Sequence, residues 1–248
     1  MDYTKNNNSK VIHNFVKNSL KANRRRNLVS IFTIAFSVCV VLSLVLTSLA
    51  VNQAKYDSVK DTYHVVVRNV KDTEIAGLSS DNRIQKTGVA YLLDAAETPD
   101  GTIYFFYYND DMMKSLPNLK GSAPIGENEI VVAQSYLDAL GQEADIGSTI
   151  RLGLGENAAA DFKITGIWKD TNMRSDTFTL FFSKACLENF KGGESIDYNV
   201  YLWLKDINHF SMHEAQETLT QICRDNGIGP EQISFNSPYF QYIGKIMD

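Results

Sequence analysis

Cysteine, histidine and proline are all scarce in this chain of 248 residues, at three, four and five respectively. So few cysteines exclude a disulfide-built scaffold, and so little proline leaves no rigid proline-rich spacer. The Gly-x-x-x-x-Gly-Lys-Ser/Thr loop that cradles nucleotide phosphates is missing, so the chain has no ATP site of that kind. No Gly-x-Ser-x-Gly elbow raises a serine nucleophile. Gly153-Leu154-Gly155 begins like a dinucleotide fingerprint, but a strand-forming segment follows where a helix is needed, and a hairpin loop explains it better. His209 and His213 stand four apart on a predicted helix, yet no third imidazole or thiolate accompanies them. A solvated helix face is favoured over a zinc site. Asp110-Asp111 reads as helix capping, since no partner for acid–base work can be named. No catalytic residue, metal ligand or cofactor is assigned.

Long apolar runs are absent too, with one exception. Leu28 to Val51 holds twenty-four residues without a charge, amide, histidine, glycine or proline. A helix of that length spans roughly 36 Å, against about 30 Å for a hydrocarbon core. Its hydroxyls (Ser30, Thr33, Ser37, Ser43, Thr47, Ser48) can bond to their own backbone and weaken the reading little. Ahead of it lie Lys5, Lys10, Lys17, Lys21, Arg24, Arg25 and Arg26 against Asp2 alone. That leader carries +6, so a total of −5 leaves −11 on residues 52–248. Basic flanks stay cytoplasmic, so Lys21, Arg24, Arg25 and Arg26 set the topology: amino terminus inside, acidic bulk outside. The Arg triplet is pinned to the bilayer and the rest of the chain is acidic, which disfavours nucleic acid as a partner. Ser48-Leu49-Ala50 offers a small-x-small cleavage pattern, but the apolar run is too long for a secretory signal and an uncleaved anchor is favoured.

In chain order, residues 1–27 form a cytoplasmic leader, 28–51 the span and 52–240 one outer domain. Within the leader, Val11, Ile12, Phe15, Val16 and Leu20 recur at helical spacing opposite Lys10, Lys17 and Lys21. This short amphipathic helix either lies in the interface or is a solvated lead-in to the span. The span's helix continues two turns past Val51. Strands are expected at 63–70, 89–95, 102–108, 129–133, 149–154, 161–168, 177–182, 198–204 and 232–235. Helices are expected at 72–79, 110–116, 134–140, 183–190 and 210–226, with Asp72 capping the first of these. His64 alternates with Val65 in a strand and is expected half exposed. The tract Tyr104–Tyr108 and the pair Tyr201/Trp203 put aromatic residues on both faces of their strands. Cys186 and Cys223 fall on apolar helix sides; two buried thiols are favoured over a disulfide. The outer part thus reads strand–helix–strand near its start and again near its end, around a strand-rich insertion at about 121–190. The fold class is α+β: one N-terminal transmembrane helix, then βαβ units with an inserted strand-rich subdomain.

The insertion holds a pattern: Gly121-Ser122-Ala123-Pro124-Ile125-Gly126-Glu127-Asn128-Glu129-Ile130-Val131-Val132, then Asp145-Ile146-Gly147-Ser148-Thr149-Ile150, then Phe162-Lys163-Ile164-Thr165-Gly166-Ile167. It resembles the extracytoplasmic domain of MacB/FtsX-type ABC transporter permeases, whose signature runs Gly-Arg-x-Pro, Asn-Glu-Ile-Val, Ile-Gly-Asp-x-Ile and Phe-x-Val-x-Gly-Ile. Gly121, Pro124, Asn128, Glu129, Ile130, Val131, Ile146, Gly147, Gly166 and Ile167 match it as scaffold positions. Ser122 departs, standing where Arg is usual. The resemblance implies a porter-like outer domain and a non-enzymatic permease subunit. Its expected partners are a separate ABC ATPase subunit, a second permease copy or paralogue, and the lipid bilayer. The implied work is export or extraction of amphipathic substrates such as antimicrobial peptides or lipids. Family members continue into three or more further spans, so residues 241–248 are expected to approach a second membrane helix beyond Asp248. The alternative is a single-pass anchored module that recognises an extracytoplasmic ligand.

Overall fold

The basic leader and the apolar run fold as two successive helices, α1 (Asn8–Ala22) and α2 (Arg24–Val59). The computed structural model describes residues 8–141, 144–153, 159–170 and 176–241. The chain divides into two units, Met1–Ser58 and Val59–Asp248. Among the described residues α2 is the one helix long and apolar enough to cross a membrane. Four hydroxyls of its apolar run bond to the helix's own backbone, Ser30 to the Arg26 carbonyl at 3.1 Å among them. Thr33, Ser37 and Thr47 donate to the carbonyls of Val29, Thr33 and Ser43 at 2.9, 2.8 and 2.8 Å.

The second unit is built on one mixed sheet. Strands β1 (Val65–Val70) and β2 (Ile84–Thr98) flank helix α3 (Asp72–Ser80) in the chain. Late in the chain β9 (Tyr198–Leu204), α7 (Met212–Asp225) and β10 (Ile233–Phe235) repeat the pattern. The strand order β10-β1-β9-β2 is antiparallel throughout. Each strand–helix–strand unit is therefore split by a strand of the other, the ferredoxin-like arrangement.

Between β2 and β9 the chain adds further strands to the same sheet. These are β3 (Gly101–Tyr108), β4 (Leu119–Gly121), β5 (Glu129–Ala133), β6 (Thr149–Leu152), β7 (Ala160–Trp168) and β8 (Thr177–Phe182). The order continues β2-β3-β8-β5-β7-β4, with β6 also on β7. The long β2 joins the halves: residues 84–90 pair with β9 and residues 90–98 with β3.

Helices α3, α5 (Gln134–Ala139), α6 (Lys184–Lys191) and α7 supply one face with Leu78, Leu137, Leu187, Leu219 and Ile222, all buried in the main core. The period-two alternation of strands sorts the aromatic tract. Ile103, Phe105 and Tyr107 enter that core, while Phe106 and Tyr108 join a smaller cluster on the other face. There helix α4 (Asp110–Ser115) lays Met113 against Val131 and Phe181.

Three local expectations shift. Lys71, not Asp72, is the residue preceding α3, with its N–H donating to the Glu74 carboxylate at 2.8 Å. Asn109, not the Asp110-Asp111 pair, caps α4. Its side chain accepts from Met112 N–H at 3.1 Å and Val89 N–H at 2.9 Å, and donates to the Thr87 carbonyl at 3.0 Å. His209 sits in a 3-10 turn (Ile207–His209) ahead of the Ser211 cap, so it does not share α7 with His213. Residues 154–158 of the Gly153 loop and 242–248 of the expected approach to a second span lie outside the described residues.

Candidate functional site

The motif residues, dispersed over almost fifty positions, converge around β7. Gly121 lies opposite Gly166 in the β4–β7 pairing. At φ +91° it also sits so close that a Cβ there would meet the Thr165 carbonyl oxygen at 2.3 Å and the Ile146 Cδ1 at 2.9 Å. Ser122 N–H donates to that Thr165 carbonyl at 3.0 Å. Gly147, at φ +98°, turns the chain so that its N–H reaches the Ile164 carbonyl at 2.7 Å. The Asn128 carbonyl accepts from Lys163 N–H at 2.8 Å.

Glu129 closes the turn after Pro124, accepting from the N–H groups of Ile125 and Gly126 at 2.9 Å each. The Gly126 donor, then the Ile125 donor, holds its carboxyl below the usual carboxylate range. Ser183 caps α6 and donates from its hydroxyl to the Gly126 carbonyl at 2.8 Å, tying that turn to the neighbouring helix. Ile130 and Val131 are fully buried on opposite faces of β5, and Ile167 is half-buried against the core. The buried members of the motif pack the junction of β4, β5 and β7, while the side chain of Asn128 is exposed.

The cations expected to set the topology lie elsewhere. Lys21 stands in the last turn of α1, and Arg24, Arg25 and Arg26 open α2, all exposed. Among the described residues, two open clefts stand out in the second unit. One, of about 690 Å³, runs along α7 past Arg83, His213, Gln216, Gln221 and Arg224. Arg83 is already committed there, to Asp81 at 2.7 Å and Asp225 at 3.1 Å. The other, of about 380 Å³, is lined by Lys71 and Lys191 together with Asp72, Glu188 and Glu194, which offset their charge. Among the described residues no group of three His, Cys, Asp or Glu could hold a metal ion. Cys186 and Cys223 are free and buried, and burial pushes their thiols up to about 11 and about 12, so neither is a thiolate nucleophile at neutral pH.

No family model matches the sequence, and no curated protein does. Solved structures do resemble the fold. The periplasmic region of MacB from Actinobacillus actinomycetemcomitans superposes with a TM-score of 0.50 at 14% identity, over 76% of this chain and 95% of that one. The fold is that of the MacB periplasmic region. The extracellular domain of the noncanonic ABC-type transporter YknZ from Gram-positive bacteria gives 0.47 at 11% identity, covering 71% and 99%. A domain of a permease protein from Porphyromonas gingivalis gives 0.45 at 11%, covering 66% and 80%.

In this MacB-like unit the sequence reading missed one junction. His64 is 3% exposed, not half exposed. Its Nδ1 accepts from Leu204 N–H at 2.8 Å and its ring lies 4.5 Å from that of Tyr239. Burial lowers its pKa to about 4. Beside it, Asn236 binds the entering chain: its N–H donates to the His64 carbonyl at 2.9 Å and its amide to the Tyr63 carbonyl at 2.7 Å and Thr62 Oγ1 at 3.1 Å. The strand entering the MacB-like unit and the segment leaving it are clipped together. The residues that do this are far apart in the chain, and no local pattern announces them.

Proposed function

We propose that this chain is a permease subunit, or the amino-terminal part of one, of a MacB/FtsX-type ABC transporter. The observation that carries the reading is the combination: a MacB-like fold follows directly on an apolar helix preceded by six uncompensated charges. In this reading α2 crosses the membrane, residues 1–27 are cytoplasmic and the MacB-like unit is extracytoplasmic, the orientation basic flanks favour. The chain has no phosphate-binding loop, so ATP hydrolysis belongs to a separate ABC ATPase subunit. A second permease copy or paralogue completes the transporter, and the cargo is amphipathic, such as antimicrobial peptides or lipids. The MacB-like unit's part is mechanical: it turns movement of the membrane helices into displacement of cargo outside the bilayer.

Orientation is tested with one added cysteine at a time, Ser9→Cys or Asp100→Cys, in a Cys39→Ala background whose Cys186 and Cys223 are buried, probed in intact cells with a thiol reagent that cannot cross the bilayer and read against the background alone. Labelling at residue 100 and not at residue 9 is expected; the reverse pattern refutes the topology. The transporter assignment is tested by isolating the native complex in mild detergent. An ABC ATPase co-purifies in stoichiometric amount if the assignment holds. A complex without one points to an anchored ligand-recognising module.

A further inference from the structure

The helix that precedes the span has an apolar face that is exposed among the described residues of its own unit. In α1, Val11, Ile12, Phe15, Val16 and Leu20 are 68, 60, 76, 49 and 57% exposed. At 100° per residue they centre on one side, and Lys10, Lys17 and Lys21 fall together on the opposite side. Residues 8–26 hold six Lys or Arg and no Asp or Glu. Asn23 alone separates α1 from α2, so whatever surface α2 emerges from lies within reach of α1.

We infer that α1 is an anionic-lipid-binding helix. It lies in the cytoplasmic headgroup layer with Phe15 and its neighbours in the acyl boundary, and with Lys10, Lys17, Lys21 and the Arg triplet on acidic headgroups. The inference rests on the proposed membrane crossing of α2. Charge selects the occupant. A second copy of α1 would bring three lysines against three, and the acidic MacB-like unit belongs to the opposite side of the bilayer. A surface rich in phosphatidylglycerol-like headgroups matches the apolar stripe and the positive charge together. Phosphatidylcholine, zwitterionic with no net charge, matches the stripe alone. The span fixes the protein in the bilayer by itself, so α1 docking reports local lipid composition and is not needed for anchoring.

The test uses the full chain reconstituted in vesicles, in a Cys39→Ala background, with an environment-sensitive fluorophore on Phe15→Cys, Lys17→Cys or Val41→Cys. In phosphatidylcholine vesicles containing phosphatidylglycerol, the residue 15 label shifts to the blue and the residue 17 label stays aqueous. In phosphatidylcholine alone, or at high salt, the residue 15 shift shrinks. Changing Lys10, Lys17 and Lys21 together to Gln lowers the docked-to-free ratio about a hundredfold in the acidic vesicles. Residue 41 stays buried in every vesicle. An aqueous residue 15 beside a buried residue 41 overturns the inference and leaves the span standing. So does a residue 15 label shielded equally with and without phosphatidylglycerol, which points to a protein neighbour. An aqueous residue 41 removes both.

Discussion

Two glycines with nearly the same backbone angle separate conformational cost from crowding. Gly121 has φ +91° and Gly193 has φ +90°. A Cβ on Gly193 would meet nothing within 4 Å, whereas one on Gly121 would lie 2.3 Å from the Thr165 carbonyl oxygen and 2.9 Å from the Gly166 Cα. Alanine at either position carries the left-handed penalty of about 1–2 kcal/mol. At Gly121 the overlap is with backbone, which cannot rotate aside, so β4 must withdraw from β7. The bond from Ser122 N–H to the Thr165 carbonyl goes with it, adding about 1–3 kcal/mol. Gly121→Ala should therefore cost about 2–5 kcal/mol against about 1–2 for Gly193→Ala. For a unit of this size each kcal/mol moves the midpoint by roughly 2–4 °C, so the extra 1–3 kcal/mol at Gly121 should separate the two variants by about 2–12 °C. Thermal unfolding in detergent, followed by near-ultraviolet circular dichroism, reads the difference. Equal midpoints would refute the rigid close approach and show that β4 yields at no cost.

Three further outcomes follow from the same contacts. His64 titrates near 6.5 unfolded but about 4 folded, so the stability it lends is complete above pH 6.5 and is lost as pH falls toward 4. The loss is bounded at about 3 kcal/mol, and His64→Gln should flatten that part of a urea-midpoint-versus-pH curve relative to the parent. Asn236→Ala deletes amide bonds of 2.7 and 3.1 Å to the entering chain. It should cost about 2 kcal/mol and speed amide exchange in residues 62–64 and 236–240 together; unchanged exchange at 62–64 would show that the clip holds without the side chain. Cys186 and Cys223 should resist a maleimide at pH 7 in the folded protein and react on unfolding, a difference mass spectrometry counts directly.

Much of this architecture is legible in the residues because its cues are local. The Thr98-Pro99-Asp100-Gly101 turn, the β-branched run at 65–67 and the apolar stripe of Ala215, Leu219, Ile222 and Cys223 each name an element within a few positions. What escaped depends on distant neighbours. His64 reads as half exposed because strand alternation leaves one face open, yet Tyr239 and the Leu204 N–H come from the far end of the chain to cover it. Asp110 and Asp111 satisfy the capping preference as well as Asn109 does. The choice falls to Asn109 because it can also donate to the Thr87 carbonyl, which a carboxylate cannot. The motif residues of the insertion were visible as a set. Their meeting around β7 was not, since it needs a parallel β5–β7 pairing that no short pattern encodes.

The clip between His64 and Asn236 has a wider consequence. One backbone hydrogen bond of 2.9 Å joins the chain just ahead of the sheet's first strand to the chain just after its last. A sheet whose entry and exit lie side by side can be spliced into a surface loop of an unrelated protein without stretching the host. The same geometry makes it a candidate for circular permutation, with new ends opened at the exposed Pro99-Asp100 tip.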